Sequence, residues 1–305
     1  MDCRLTMLVL IVLAVLNGGG CGDLGHSEPL AQLPKLTSNE TSVLPADTRL
    51  DPQAAALITQ CLNAVDANVK DPFLRLRLAQ AYNANGFDRL AMKTYIQTIH
   101  LDHQIPEAWY LLALLDAEQG QTQRSLSYLS QAEQLRPKYI PIYYRKAMIN
   151  LDAGNPDAAG REIAKAQTLD EKNLEVRMIK ARMALQTGQS QLACDILEQL
   201  CADGADHPYI HQLLGTAYQR TGQPERALIE LARASGEKIG LNDPWQKEML
   251  SLKRGFETQY TGALNHLSRG EVTQGIDILR ALQEEGQQPV EIANALAAAY
   301  AAANR

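Results

Sequence analysis

Aromatic side chains are scarce: Phe, Trp and Tyr make up 5% of a 305-residue chain that is 46% hydrophobic. A core of that composition rests on Ala and Leu, which favours many small helix–helix contacts over a few large anchors. Clustered Lys and Arg are lacking too. The net charge is −6 and no basic stripe stands out, so the surface is unsuited to displacing phosphate counterions and nucleic acid is excluded as a partner. None of the five cysteines forms a CxxC or a zinc spacing. Cys194 and Cys201 lie on one predicted helix about 10 Å apart, too far for a disulfide. A phosphate-cradling glycine loop, GxSxG and HExxH are all missing, and the carboxylates are scattered. His207 and His211 have ligand spacing, but Pro208 puts His207 at or before the first helical turn, and no third ligand is suggested. The chain therefore reads as no enzyme, with no cofactor and no metal.

A hydrophobic run long enough to span a bilayer is also missing from the N-terminus. Leu5–Leu16 is an apolar run of 12 residues, whereas a span needs ~20. It fits the core of an export signal covering residues 1–20. The run is followed by Gly18-Gly19-Gly20 and then Cys21, with a small residue directly before the cysteine. That arrangement resembles a bacterial lipoprotein signal, which implies lipidation of Cys21 and a cell-envelope location, exported and anchored on the periplasmic side. Simple secretion with cleavage near the glycines and an uncleaved anchor are the alternatives. Residues 21–50 are rich in Pro, Ser, Thr and Asp without helical period and read as the lipidated cysteine and a tether.

From residue 72 the chain becomes periodic. Gly86, Gly120, Gly154, Gly188 and Gly222 recur every 34 residues. Seven residues before each stands a small residue: Ala79, Ala113, Ala147, Ala181 and Gly215. Five after stands another: Ala91, Ser125, Ala159, Ala193 and Ala227. Nine after stands a large apolar one: Tyr95, Leu129, Ile163, Leu197 and Leu231. The glycine fits a turn that demands positive φ. The small residues let two antiparallel helices approach, and the large one fills the space between hairpins. A unit like this cannot bury its apolar face alone, so neighbours must stack.

The period, with Trp109, Leu112, Ala113, Gly120, Ala132 and Pro137 in the second unit, resembles the tetratricopeptide repeat family. The resemblance implies an all-α fold, a right-handed α-solenoid of helical hairpins. Residues 51–71 form an N-terminal capping helix and residues 72–241 five units that start at Pro72, Pro106, Ile140, Leu174 and Pro208. An insertion occupies 242–255, and residues 256–305 form one further unit, starting near Phe256, plus a terminal helix. The resemblance also implies a protein or peptide partner held on a concave surface lined by the first helix of each hairpin. The matching positions are Leu76, Gln80, Tyr110, Leu114, Tyr144, Met148, Met178, Arg182, Tyr209, Gln212 and Thr216. The Lys/Asn/Arg set with which relatives clamp a terminal carboxylate is absent, and the surface reads as suited to a peptide with apolar side chains.

Two irregularities remain. The insertion is either a lengthened loop or, with Asp243-Pro244 starting a helix over 245–254, a device that sets Trp245 across the groove or against a partner. The last helix, around Ile292–Tyr300, is nearly all Ala where a terminal helix should be polar. Either a partner or a second copy covers it, which would be self-association, or the reading frame is truncated. The function expected is an envelope-anchored interaction scaffold. The alternatives are a docking or regulatory subunit of an enzyme encoded elsewhere, and part of a larger multidomain protein.

Overall fold

The computed structural model describes residues 33, 43–45, 50–234, 241–284 and 289–303. The expected export signal, Cys21 and most of the tether lie outside these residues. The described part consists of helices joined by short turns. A first helix, α1 (Pro52–Ala67), precedes five hairpins: α2 (Pro72–Ala84) with α3 (Asp88–Leu101), α4 (Pro106–Glu118) with α5 (Thr122–Leu135), α6 (Ile140–Asp152) with α7 (Pro156–Leu169), α8 (Leu174–Gln186) with α9 (Ser190–Ala202), and α10 (Pro208–Arg220) with α11 (Pro224–Arg233). A short α12 (Pro244–Leu250) follows, then α13 (Phe256–Ser268), α14 (Val272–Glu284) and α15 (Pro289–Ala303).

Helix starts are set by prolines whose missing N–H costs nothing in a first turn, and by caps. The Asp51 carboxylate accepts from the N–H groups of Gln53 and Ala54, and Asp71 does the same for Phe73 and Leu74. The hairpin turns are built alike. Gly120 has φ 73°, and the Gln121 N–H reaches back to the Asp116 carbonyl at 2.8 Å, closing a Schellman turn. The same bond recurs from Phe87 to Tyr82 and from Gln189 to Ala184. Only glycine takes that backbone at no steric cost, which is why it marks every 34th position.

The periodic positions are the core. Ala79, Ala113, Ala147 and Ala181 are fully buried, as are Ala91, Ser125, Ala159 and Ala193 opposite them. Gly215 replaces alanine in the fifth unit because a Cβ there would stand 2.6 Å from the Leu231 side chain. First helices also touch successive first helices, α6 on α8 and α8 on α10, which makes the first-helix surface continuous from α6 to α10.

Regular stacking ends at α11, where Leu228 and Ile229 are 72% and 62% exposed. Helices α13, α14 and α15 pack on one another instead, around Ala263, Leu279, Leu282 and Ile292. α15 buries Ile292, Ala295, Leu296 and Ala299 and exposes Val290 and Tyr300.

Candidate protein-binding groove

The first-helix surface of the early hairpins is occupied by the chain itself. After α11 the insertion crosses it, and α12 packs on α2 and α4. The anchor is Asp243, whose side chain is 1% exposed. Its carboxylate accepts from the Tyr110 hydroxyl and, at 2.9 Å, from the Tyr139 hydroxyl, and it lies 3.3 Å from the Arg145 guanidinium. Asp243 also caps α12 by accepting from the Gln246 N–H. Arg145 donates to the Gln246 side chain as well. The backbone of the insertion is gripped by side chains: Tyr144 donates to the Asn242 carbonyl at 3.1 Å, and the Asn242 N–H donates to Glu175 at 3.2 Å. Trp245 stacks on Tyr139 with ring centroids 3.6 Å apart and meets Tyr110 edge-on at 5.3 Å.

Burial first, and then the Asp243 charge, push the phenols of Tyr110, Tyr139 and Tyr144 well above their ordinary value. All three stay neutral and able to donate. Burial works against the Arg145 charge, but the Asp243 carboxylate beside it favours the protonated guanidinium.

A second anchor lies further along. The Asn85 amide donates to the Leu252 carbonyl at 3.1 Å and accepts from the Arg254 N–H at 2.9 Å. This clamp takes the chain out of helix after Leu250, four residues before the end expected from sequence. Met249 and Leu252 are buried beneath it.

The expected lining residues divide accordingly. Tyr110 and Tyr144 lie under the insertion, and Leu76 and Gln80 on α2 are buried. Met178 belongs to the core between hairpins, with Tyr209 packed against it. Met148 packs against the neighbouring core and Leu114 is half-buried. Arg182 pairs with Asp152, while Gln212 is exposed and Thr216 half-buried. Trp245 sits on the groove at Tyr110 and Tyr139. Tyr139, Arg145, Asn85 and Asp243 carry as much of the site as the residues the repeat pattern singles out. Their signal was weak: Tyr139 only precedes a helix, Arg145 reads as a surface cation, and Asp243 reads as a cap. His207 and His211 do not converge on one ligand, since His207 caps α10 through the Tyr209 N–H and His211 bonds Glu230 and Asp206.

A family model for the tetratricopeptide repeat matches residues 106–139 and 140–173, the α4–α5 and α6–α7 hairpins. Those two hairpins are tetratricopeptide repeats by sequence, and the hairpins on either side share their 34-residue spacing and turn. No curated protein sequence matches the chain. Among solved structures, a tetratricopeptide repeat protein from Parabacteroides merdae ATCC 43184 aligns at 14% identity with a TM-score of 0.53, covering 81% of this chain and 92% of that one. A chain of the APC/C hetero-tetramer Cut9-Hcn1 aligns at 17% identity and TM-score 0.52, over 84% of this chain and 49% of its own. Pseudomonas aeruginosa PilF aligns at 14% identity and TM-score 0.50, over 65% and 97%. At such identities the likeness is one of fold. Against the tetratricopeptide pattern, the departure in this chain is the insertion after its fifth repeat, laid along the first-helix surface. Among the described residues no helix is long and apolar enough to cross a membrane.

Proposed function

We propose that this protein is a non-catalytic interaction scaffold, exported to the bacterial envelope and held there by lipid on Cys21. It takes an extended segment of a partner protein on its first-helix surface. One observation carries the reading: that surface holds a peptide segment through side-chain grips on backbone and side chain alike, with the Asn242 backbone bonded by Tyr144 and Glu175 and the Asp243 carboxylate by Tyr110, Tyr139 and Arg145. These are the contacts that hold a foreign peptide in a groove. The same surface continues over α8 and α10, where Gln212 is exposed and Arg182, Tyr209 and Thr216 are half-buried.

The test is a crosslinking pull-down from membranes. Gln212→Arg/Thr216→Arg should lose the proteins that the wild-type chain captures while keeping its thermal midpoint. An unchanged capture profile removes the first-helix surface as the partner site. Cys21→Ser should move the chain from the membrane to the soluble fraction, and retention in the membrane refutes the anchor.

A further inference from the structure

The insertion is held partly as a ligand is, by polar grips and a stacked ring, while Leu241, Met249 and Leu252 on either side pack into apolar surroundings. Its tip contributes one buried carboxylate, one stacked indole and one gripped peptide group, and the outer side of the same stretch is open to water at Asn242, Pro244, Lys247 and Glu248. The residues that receive it belong to the regular repeats, on α4, at the start of α6, on α6 and on α8. The fit is incomplete at one point. The Nε of Arg145 is buried without a hydrogen-bond partner, because both Asp243 and Gln246 are reached through Nη2. A buried guanidinium donor without a partner is costly, and a carboxylate that takes Nε and Nη2 together binds arginine better than one held through a single nitrogen.

We propose that the surface formed by Tyr110, Tyr139, Tyr144 and Arg145 is a receptor for an acidic–proline–aromatic segment of a partner protein, occupied in cis by Asn242–Gln246 until that partner displaces it. The proposal rests on the scaffold reading above and adds the chemistry of the occupant and a gate. Charge complementarity selects the occupant: a cation and phenol donors converge on a site that a carboxylate must fill, beside a Tyr139 face that an indole already covers. Exchange of one such segment for another trades like contacts for like, so the balance is set by the effective concentration of the tethered copy, on the order of millimolar for a short linker. A free peptide therefore binds the wild-type chain weakly, and weakening the tethered copy unmasks the site.

The probe is a fluorescein-labelled peptide of sequence LNDPWQKEMLSL, titrated by anisotropy against the full chain. Asp243→Asn/Trp245→Ala is expected to bind it at least tenfold tighter than wild type. The same variant should bind a peptide with Asn in place of Asp at least tenfold more weakly than the original, a comparison made on one protein and so independent of folding differences. Adding Arg145→Gln should abolish the discrimination between the two peptides. Coincident titrations of wild type and variant overturn the proposal, as does equal binding of the two peptides. Loss of the helical circular dichroism in Asp243→Asn/Trp245→Ala overturns it too, by making the insertion a structural member of the fold. Light scattering that shows a wild-type dimer turned monomeric by the same variant gives the groove to a second copy and also overturns it. Should the peptide fail while Gln212→Arg/Thr216→Arg still loses its captured partner, this inference falls and the scaffold reading stands.

Discussion

The five-repeat stack and the insertion that crosses it are held by different forces. In the stack, contacts are apolar, small and repeated: Ala113 against Ser125, Ala147 against Ala159, Ala181 against Ala193, each fully buried. Its polar pairs are near in sequence, as with Arg124 and the buried Asp116 eight residues apart. The insertion is held by polar groups brought together across a long stretch of chain. Tyr110 and Asp243 are 133 residues apart, and Asn85 and Arg254 are 169 apart. Apolar burial tolerates variation and supplies stability in bulk, whereas a buried carboxylate is a demanding occupant that supplies specificity when every partner is present. The stack therefore carries the fold, and the insertion carries a choice of what lies on it.

The comparison predicts where damage spreads. Leu129→Ala removes a fully buried side chain from between hairpins. It should cost about 2–5 kcal/mol, read as a lowered denaturant midpoint of the whole stack, because each repeat leans on its neighbours. If only the insertion responded, the division between the two regions would be wrong.

Arg145→Ala should reach less of the molecule: a loss of about 3–5 kcal/mol, as for one partner taken from a buried ion pair, confined to the insertion. It strands the Asp243 carboxylate in a buried site with two phenol donors and no cation. Hydrogen exchange should accelerate at 244–252 and leave the backbone amides of α4–α9 protected. The matched control is Arg182→Ala, whose partner Asp152 has a 61% exposed side chain and whose loss should cost under about 1 kcal/mol. Equal effects from the two arginines would show that burial of Asp243 does not matter.

Alkaline pH should separate the regions again. The phenols of Tyr110, Tyr139 and Tyr144 are raised by burial and by Asp243, so in the folded chain they keep protons that the unfolded chain loses near pH 10. Above that pH the native state binds more protons than the unfolded one, and stability falls as pH rises, by up to about 1.4 kcal/mol per unit for each phenol. Stability from this source is fully present below pH 10. Unfolding midpoints at pH 9 and pH 11 should differ less in Tyr139→Phe than in wild type; an unchanged difference would mean that Tyr139 titrates normally.

The same division explains what was legible in the sequence. Helix starts at Pro72, Pro106, Ile140, Leu174 and Pro208 follow from a glycine every 34 residues, because a local turn and local packing leave a periodic trace. Even the break in regularity was visible as 14 extra residues between the fifth unit and the sixth. What fills the groove was not. Nothing near Asp243 in sequence says that Arg145 waits for it, since a contact made once between distant segments leaves no period. The sixth unit shows the same limit: Ala263, Gly275 and Leu279 keep the repeat's spacing around Gly270, yet α13 packs with α14 and α15 and leaves Leu228 and Ile229 of α11 exposed. Spacing fixes how a hairpin is built, and says little about which hairpin it meets after an interruption.

The smallest effect expected is the sharpest on that point. Ser125 is the one polar residue at its repeat position, fully buried, with its hydroxyl donating to the Ala113 carbonyl at 2.7 Å. If the stack depended on such bonds as the insertion does, Ser125→Ala would be costly. The position is governed by size instead, for Ala91, Ala159, Ala193 and Ala227 occupy it elsewhere. The Ala113 carbonyl lies within α4 and keeps the ladder as a partner once the hydroxyl is gone, so no buried group is orphaned. Ser125→Ala should shift stability by less than about 0.5 kcal/mol, measured by denaturant unfolding beside Arg145→Ala. A loss as large as that of Arg145→Ala would place polar bonding at the heart of the repeat and erase the contrast between the two regions.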